Sequence, residues 1–198
     1  MSATTAKPVR PQRTLRVIGG QWRGRKIHFP AADIRPTPDR VRETLFNWLQ
    51  PRIQGAHCLD LFAGSGALGL EALSRGAAEV VFIEQRRAVS LVIERLLAQW
   101  PAAGRASVLC TEAQRYLSGN ARAFDLVFLD PPYASGELAA AARALERGWL
   151  ASDARIYVEH ARREGLPALP GAWRELRAGT AGEVGYHLYQ SGQAGASA

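Results

Sequence analysis

Cysteine is scarce in this chain: 198 residues hold two, Cys58 and Cys110. Each lies in an apolar, strand-like segment, so both are expected to be buried free thiols, and a disulfide framework is excluded. The four histidines, His28, His57, His160 and His187, show no ligand spacing, so no metal site is expected either. Long apolar runs are missing as well. Nothing approaches the roughly 20 residues that span a bilayer, and the basic, polar beginning has no signal-peptide core. These absences point to a soluble cytoplasmic monomer with one main domain. Lysine is nearly absent, with Lys7 and Lys26 set against 23 arginines. That bias in usage explains arginine over lysine and nothing about where the charge sits.

The distribution of the charge is informative. The net charge is +7. Residues 1–52 carry eleven Lys/Arg against three acids, and the rest of the chain carries fourteen basic residues against fifteen acidic ones. The excess therefore belongs to the first quarter, as in a phosphate-facing arm on a nearly neutral body. The bland alternative is a solvated arginine-rich surface, which does not account for the segregation. Arg16, Arg23, Arg25, Lys26, Arg35, Arg40 and Arg42 are the candidate nucleic-acid contacts.

Along the chain, residues 1–13 have little to bury and read as a disordered basic tail. Leu15–Gly20 and Arg25–Phe29 flank a glycine-rich turn and suit a small hairpin. In IRPTPDRVRETLFNWLQP, Thr37 is a candidate N-cap with Pro38 at the first helical position. Val41, Leu45, Trp48 and Leu49 share one helical face, and Pro51 is expected to end the helix. Residues 14–52 thus form a basic extension. From His57 onward strands and helices alternate: Cys58–Phe62, a helix over Ala67–Arg75, Val80–Glu84, a helix over Arg87–Gln99, Ala106–Leu109, a short helix over Ala113–Leu117, and Phe124–Leu129. This is the rhythm of a doubly wound α/β sheet. A helix over Glu137–Arg147, a strand over Arg155–Glu159 and a hairpin of Trp173–Ala178 with Val184–Tyr189 complete a domain over 53–190. Residues 191–198 read as a second disordered tail.

Two stretches carry chemistry. The run FDLVFLDPPY is continuously apolar until Asp130, as in a strand covered on both faces, so function belongs at its carboxyl end. Pro131 and Pro132 remove two N–H groups and prevent a helix from starting there, leaving Asp130 and the Pro131 carbonyl as acceptors beside Tyr133. An acceptor pair next to an aromatic face suits the exocyclic amine of a flat base, with the ring stacked on Tyr133. Alone, the stretch could equally be a turn. The second is DLFAGSGALG, where Gly64, Gly66 and Gly69 form G-x-G-x-x-G, with Glu84 twenty residues beyond Gly64 at the next strand end. Such a turn lets backbone approach a ligand, and the later acid can accept from ribose hydroxyls. A dinucleotide would fit that much. Asp60 favours S-adenosylmethionine (SAM), whose ammonium needs an acceptor where a pyrophosphate would be repelled. Glu112 is placed to accept from an adenine amino group, or is simply a helix-start glutamate.

From about Leu15 to Gln190 the chain resembles the class I SAM-dependent methyltransferases with a D/N-P-P-Y/F/W motif, and more closely the RsmD family of 16S ribosomal RNA guanine-N2 methyltransferases. The segments that carry the resemblance are RVIGGQWRGRKI, IRPTPDRVRETLFNWL, CLDLFAGSGALGLEALSRGA, VVFIE, FDLVFLDPPY and GWLASDARIYVE. It implies a Rossmann-like, mostly parallel seven-stranded sheet with a C-terminal antiparallel hairpin. It also implies a SAM pocket lined by Asp60, Phe62, Ala63, Gly64, Gly66, Glu84, Glu112 and Ala113, and a flipped guanine held by Asp130, Pro131, Pro132 and Tyr133. The implied partner is 16S rRNA in the small ribosomal subunit or its assembly intermediate, with no membrane. Two positions depart from the pattern: Arg86 and Arg87 stand where another acid is common, and Glu112 where Asp or Asn is usual.

Three other functions fit parts of this pattern. A DNA adenine-N6 methyltransferase could use the same DPPY chemistry, although the connections are too short for a DNA-reading domain. A non-catalytic rRNA-binding assembly factor would bind RNA without consuming SAM. An NAD-dependent oxidoreductase would share the glycine turn and differ in the cofactor bound.

Overall fold

The structure, a computed structural model, describes residues 12–30, 37–102, 104–133 and 135–192. The expected tail over 1–11 and 193–198, and Arg35, lie outside the described residues. Strands β3 (His57–Asp60), β4 (Glu79–Ile83), β5 (Ala106–Leu109), β6 (Phe124–Leu129) and β7 (Leu150–Ala161) run parallel in the order β5-β4-β3-β6-β7. The hairpin of β8 (Arg174–Ala181) and β9 (Val184–Gln190) extends the sheet, with β9 antiparallel to β7, to seven strands. Strand order reverses between β3 and β6, and the crevice at such a switch point is where open α/β sheets take ligands.

Helices cover both faces, which is why the central strands are apolar throughout rather than alternating. One core joins α1 (Asp39–Ile53), α2 (Ala67–Ser74) and α3 (Arg87–Gln99) to Cys58, Val80, Phe82, Leu126, Phe128 and Tyr157. The other joins α4 (Ala113–Leu117) and α5 (Glu137–Leu145) to Leu59, Val81, Val127 and Leu129. The basic extension belongs to the first core. Its hairpin pairs β1 (Gln12–Arg16) with β2 (Lys26–Pro30), and a 3-10 turn at Gly20–Trp22 buries Trp22 against the Trp100 ring, 5.1 Å between centroids. Residue 52 therefore separates no two cores.

What docks the hairpin is a carboxylate. Glu71 on α2 is fully buried and accepts the backbone N–H groups of Ile18 and Gly19, both at 2.8 Å, and the Arg75 Nε at 2.8 Å. Ser74, one turn on, accepts the Trp22 N–H at 2.9 Å and donates to the Gly19 carbonyl at 2.5 Å. Gly20 has φ +76°, and a Cβ there would stand 2.0 Å from the Ser74 carbonyl oxygen, so this approach requires glycine.

Several expectations are corrected. Arg42, assigned to RNA contact, is fully buried. It lies 3.7 Å from Glu71 and donates to Asp39 and to the Arg16 carbonyl, so it braces the extension from within. Thr37 does not cap α1, which begins at Asp39 after Pro38. Pro51 lies inside α1, because one turn from the helix end its single missing N–H is tolerated before Gly55 turns the chain at φ +76°. Gln12 and Arg13 belong to β1 rather than to a tail, and Ser191 is buried and bonded to the Ala154 backbone. Strand β7 is twelve residues long, starting well before Arg155 through a register shift opposite Phe124–Leu126. Cys58 is buried and burial pushes its thiol up, whereas Cys110 is exposed just past the end of edge strand β5.

Glu71→Ala leaves the Arg42 guanidinium buried without that counter-charge and frees two half-buried amides. Breaking a buried pair in this way costs about 3–5 kcal/mol. Denaturant unfolding should register that loss for Glu71→Ala and a smaller one for Glu71→Gln; equal stability of the alanine variant and the parent would contradict the docking role.

Candidate active site

A cavity of about 620 Å³ opens at the carboxyl ends of β3, β4, β5 and β6. Each strand delivers its last residue or the turn after it, and the walls include Asp60, Glu84, Thr111 and the whole of Asp130–Tyr133. Thr37 and Arg13 come in from the extension, so the site is shared between the basic hairpin segment and the sheet.

The glycine turn runs from β3 into α2. Gly64 has φ +52° and Gly66 φ +76°, conformations that other residues adopt only under strain. Gly64 and Ser65 line the cavity. Gly66 does not line it; it flanks α2, where a Cβ would press against Ile93 at 3.1 Å. Gly69 lets α2 pack on the sheet, because a Cβ there would lie 2.2 Å from the Phe82 ring. Asp60 is 3 % exposed, and its Oδ2 accepts the Gly69 N–H at 2.9 Å. Burial pushes its carboxyl up to about 7; the Gly69 bond pulls the other way and the charge of Glu84 adds to the rise.

Glu84 is also buried, and both of its oxygens are engaged. Oε2 accepts the Gly64 N–H at 3.0 Å and the Arg86 Nη2 at 3.1 Å, while Oε1 accepts the Arg86 backbone N–H at 2.8 Å and Nε at 2.9 Å. A carboxylate has about four lone-pair sites, so ribose hydroxyls would have to share or displace the Arg86 fork. Phe62, Ala63 and Ala113 line the cavity. Glu112 does not: it is an exposed residue preceding α4, and Thr111 takes the wall position instead. An acid at a helix start carries no sign of which way it faces, so its sequence position misled.

After β6 the chain runs through Asp130–Tyr133, which are not helical, and α5 begins at Glu137. The Thr37 hydroxyl donates to Asp130 Oδ2 at 3.2 Å, reaching it from just before α1. Burial raises the Asp130 carboxyl well above its ordinary range, and the charge of Glu159 adds to this, while the Thr37 bond opposes it. Tyr133 is half-buried at the rim. Arg16, Arg23, Arg25, Lys26 and Arg40 are exposed; Arg25 lies over the Trp100 ring at 5.5 Å. Sequence reasoning gave Arg13 and Arg86 no place in the site, and it read Thr37 as a cap that could also face cofactor or RNA. The TPD segment before α1 was the available signal for Thr37, and a pair of arginines after the strand-end acid was the signal for Arg86. Among the described residues, no group of three or more metal-ligating side chains occurs and no helix is long and apolar enough to cross a membrane.

The sheet order, the glycine turn into α2 and the strand-end acids define the fold of the class I methyltransferases. The chain belongs to the family described as conserved hypothetical protein 95, whose model matches residues 15–190, and this is the RsmD family that its motifs resemble. It is 52% identical over 178 residues to the ribosomal RNA small subunit methyltransferase D of Escherichia coli K12, covering 89% of each chain. The solved structure of the Escherichia coli protein yhhF matches with a TM-score of 0.84 at 50% identity, over 91% of this chain and 99% of that one. The Thermus thermophilus 16S rRNA methyltransferase RsmC, solved with AdoMet and guanosine, shares the fold at a TM-score of 0.63 and 24% identity, over 91% of this chain and 50% of that one.

The unfolded chain loses the Asp60 proton near its ordinary value of 3.8, the folded chain only near 7. Between those values the native state holds the extra proton, so this group's contribution to stability falls as pH rises through the window. Asp60→Asn keeps an acceptor for Gly69 and has no charge to bury. Urea unfolding should therefore find it gaining on the parent between pH 5 and pH 8, and a pH-independent difference would refute the buried ionisation.

Proposed function

We propose that this chain transfers the methyl group of SAM to the exocyclic N2 of a guanine in bacterial 16S rRNA, within the small subunit or its assembly intermediate. The observation that carries the reading is that Asp130 and Pro131 line the same cavity as the glycine turn and Asp60. Kinship with small-subunit rRNA methyltransferases supports the substrate class.

The residues present suit the cofactor. The buried Asp60 carboxylate, held by the Gly69 N–H, matches an ammonium; Gly64, which has no side chain on the cavity wall, leaves room for an amino-acid moiety; and Glu84 offers ribose acceptors once Arg86 yields. Phe62, Ala63 and Ala113 give the adenine an apolar slot. When bound, SAM supplies a methyl already activated on a sulfonium. The chain's own contribution is position and orientation, effects that can supply about 7–11 kcal/mol. Asp130 and the Pro131 carbonyl accept the two amine N–H groups, which aims the nitrogen lone pair away from them, and Tyr133 stacks on the base. The amine proton released after transfer passes to Asp130. No covalent nucleophile enters, and Cys58 and Cys110 both lie away from the cavity walls.

N2 is reached only when the base leaves its stack, so the enzyme must hold the surrounding backbone. Arg16, Arg23, Arg25, Lys26 and Arg40 form the exposed cationic face for those phosphates, with residues 14–52 as the RNA-binding extension and 53–190 as the catalytic domain. Recognition rests on RNA shape rather than on base edges in a helix.

Asp130→Ala should leave SAM affinity within a few-fold, by calorimetry, and abolish nearly all transfer of labelled methyl to small subunits from a strain lacking the enzyme. A variant that retains most of its turnover would show that Asp130 does not hold the target amine. Unlabelled subunits with wild-type protein, despite tight RNA binding, would favour an assembly factor.

A further inference from the structure

A second cavity, of about 470 Å³, opens on the sheet at the β8–β9 hairpin and shares no wall residue with the first. His160, Arg162, Thr180 and His187 are among its walls. The two histidines stand 27 residues apart, a separation that carries no ligand spacing in sequence. The β7–β9 register brings them together: His160 pairs with Gly185 and Val158 with His187, which sets the two rings diagonally on one face. Both are half-buried, and their Nε2 atoms lie 3.2 Å apart. Gly185 leaves the space for this, because a Cβ there would stand 2.4 Å from His160 Nε2.

The far nitrogen of each ring decides what this contact is. His187 Nδ1 is 2.9 Å from Glu175 Oε2, and the Tyr189 hydroxyl donates to the same oxygen at 3.1 Å. His160 Nδ1 is 3.1 Å from the Ala161 carbonyl, and backbone at Gly165 accepts from that ring as well. An ionised carboxylate and a carbonyl only accept, so both Nδ1 atoms carry the proton. A neutral imidazole has one N–H, so both Nε2 atoms present lone pairs. Two lone pairs at this distance repel unless a cation stands between them. The carboxylate is aimed by a bulge: Glu175 pairs with Tyr189 and Arg177 with Leu188, so the extra residue, Leu176, puts Glu175 on the face of His187 and Tyr189.

We propose that His160 and His187 form a binding site for a divalent transition metal of the zinc class, held through both Nε2 atoms. Nitrogens about 2.0–2.1 Å from one tetrahedral zinc stand about 3.3 Å from each other, close to the separation found between these rings. Metal-bound histidine gives its other N–H to a carboxylate or a backbone carbonyl, and here one ring has each kind of partner. Imidazole suits zinc, copper and nickel, whereas calcium and magnesium take oxygen ligands. Both rings line the cavity, which leaves room for water or an oxygen ligand at the remaining positions. With two protein ligands the site is weaker than a four-ligand structural zinc. The charges around it are mixed. Glu175 and Glu164 favour a cation; Arg162 opposes one, although its Nη1 is turned to the Gly182 carbonyl at 3.0 Å. Bound metal would tie β9 to β7, the strand beside the one that ends at Asp130.

The test is a calorimetric titration with Zn²⁺ alone, on Cys110→Ser protein so that the exposed thiol does not compete. One ion should bind per chain. His160→Ala and His187→Ala should each abolish that binding. Glu175→Gln, at an exposed position and so the variant to rely on if a histidine variant folds poorly, should weaken it about 10–100-fold. His28→Ala and His57→Ala should bind as the parent does. Nitrogen NMR of the imidazole side chains is the second readout: Zn²⁺ should shift both Nε2 signals and leave both Nδ1 atoms protonated. No uptake by the parent, or uptake that survives unchanged in a folded variant of His160, His187 or Glu175, overturns the site. Nε2 signals that follow pH and ignore Zn²⁺ would reveal a shared proton only and overturn it as well. Neither SAM nor RNA enters the titration, so its outcome is separate from that of methyl transfer.

Discussion

One eight-residue helix holds the molecule's two halves together, and it does so through the buried carboxylate of Glu71. At its start, α2 receives the glycine turn and gives the Gly69 N–H to Asp60. On its flank, Glu71 and Ser74 catch the backbone of the hairpin turn at Ile18, Gly19 and Trp22. The bonds run to main chain, so they fix where the extension lies, whatever its side chains are. The cationic face and the cavity are consequently built on the same element. Arg42 and Arg75 supply the counter-charge that makes a fully buried glutamate tolerable there.

The second constraint is electrostatic. The cavity end of the sheet gathers Asp60, Glu84, Asp130 and, behind it, Glu159, all on the carboxyl side of a parallel sheet. Each is handled differently. Asp60 has a backbone amide, Glu84 has the Arg86 fork, Asp130 has the Thr37 hydroxyl, and Glu159 has the Tyr157 hydroxyl. A cavity walled by several carboxyl groups gains from cationic or N–H-rich ligands. A sulfonium cofactor with an ammonium and a base with an exocyclic amine answer that need; a pyrophosphate would aggravate it.

Much of the fold was legible because its cues are local. Continuous apolar strands between amphipathic helices identify a covered parallel sheet, and G-x-G-x-x-G and DPPY mark the turns where a chain must leave β3 and β6 without a side chain or an N–H. The errors share a cause, which is that sequence carries charge but not direction. Arg42 read like the other arginines of the extension, yet its helical position turns it inward toward Glu71. Glu112 read as a ligand or a helix-start glutamate and is exposed outside the cavity walls, while Thr37, read first as a cap, donates to Asp130. Glu159 stood in plain view in IYVE, and only the β6–β7 register puts it beside Asp130.

The central claim is the identity of the atom that receives the methyl group. Small subunits from cells lacking the enzyme, incubated with the protein and methyl-labelled SAM, would be digested to nucleosides and resolved by mass. Label in N2-methylguanosine of 16S rRNA is the expected result; label in N6-methyladenosine, or in DNA rather than rRNA, would contradict it.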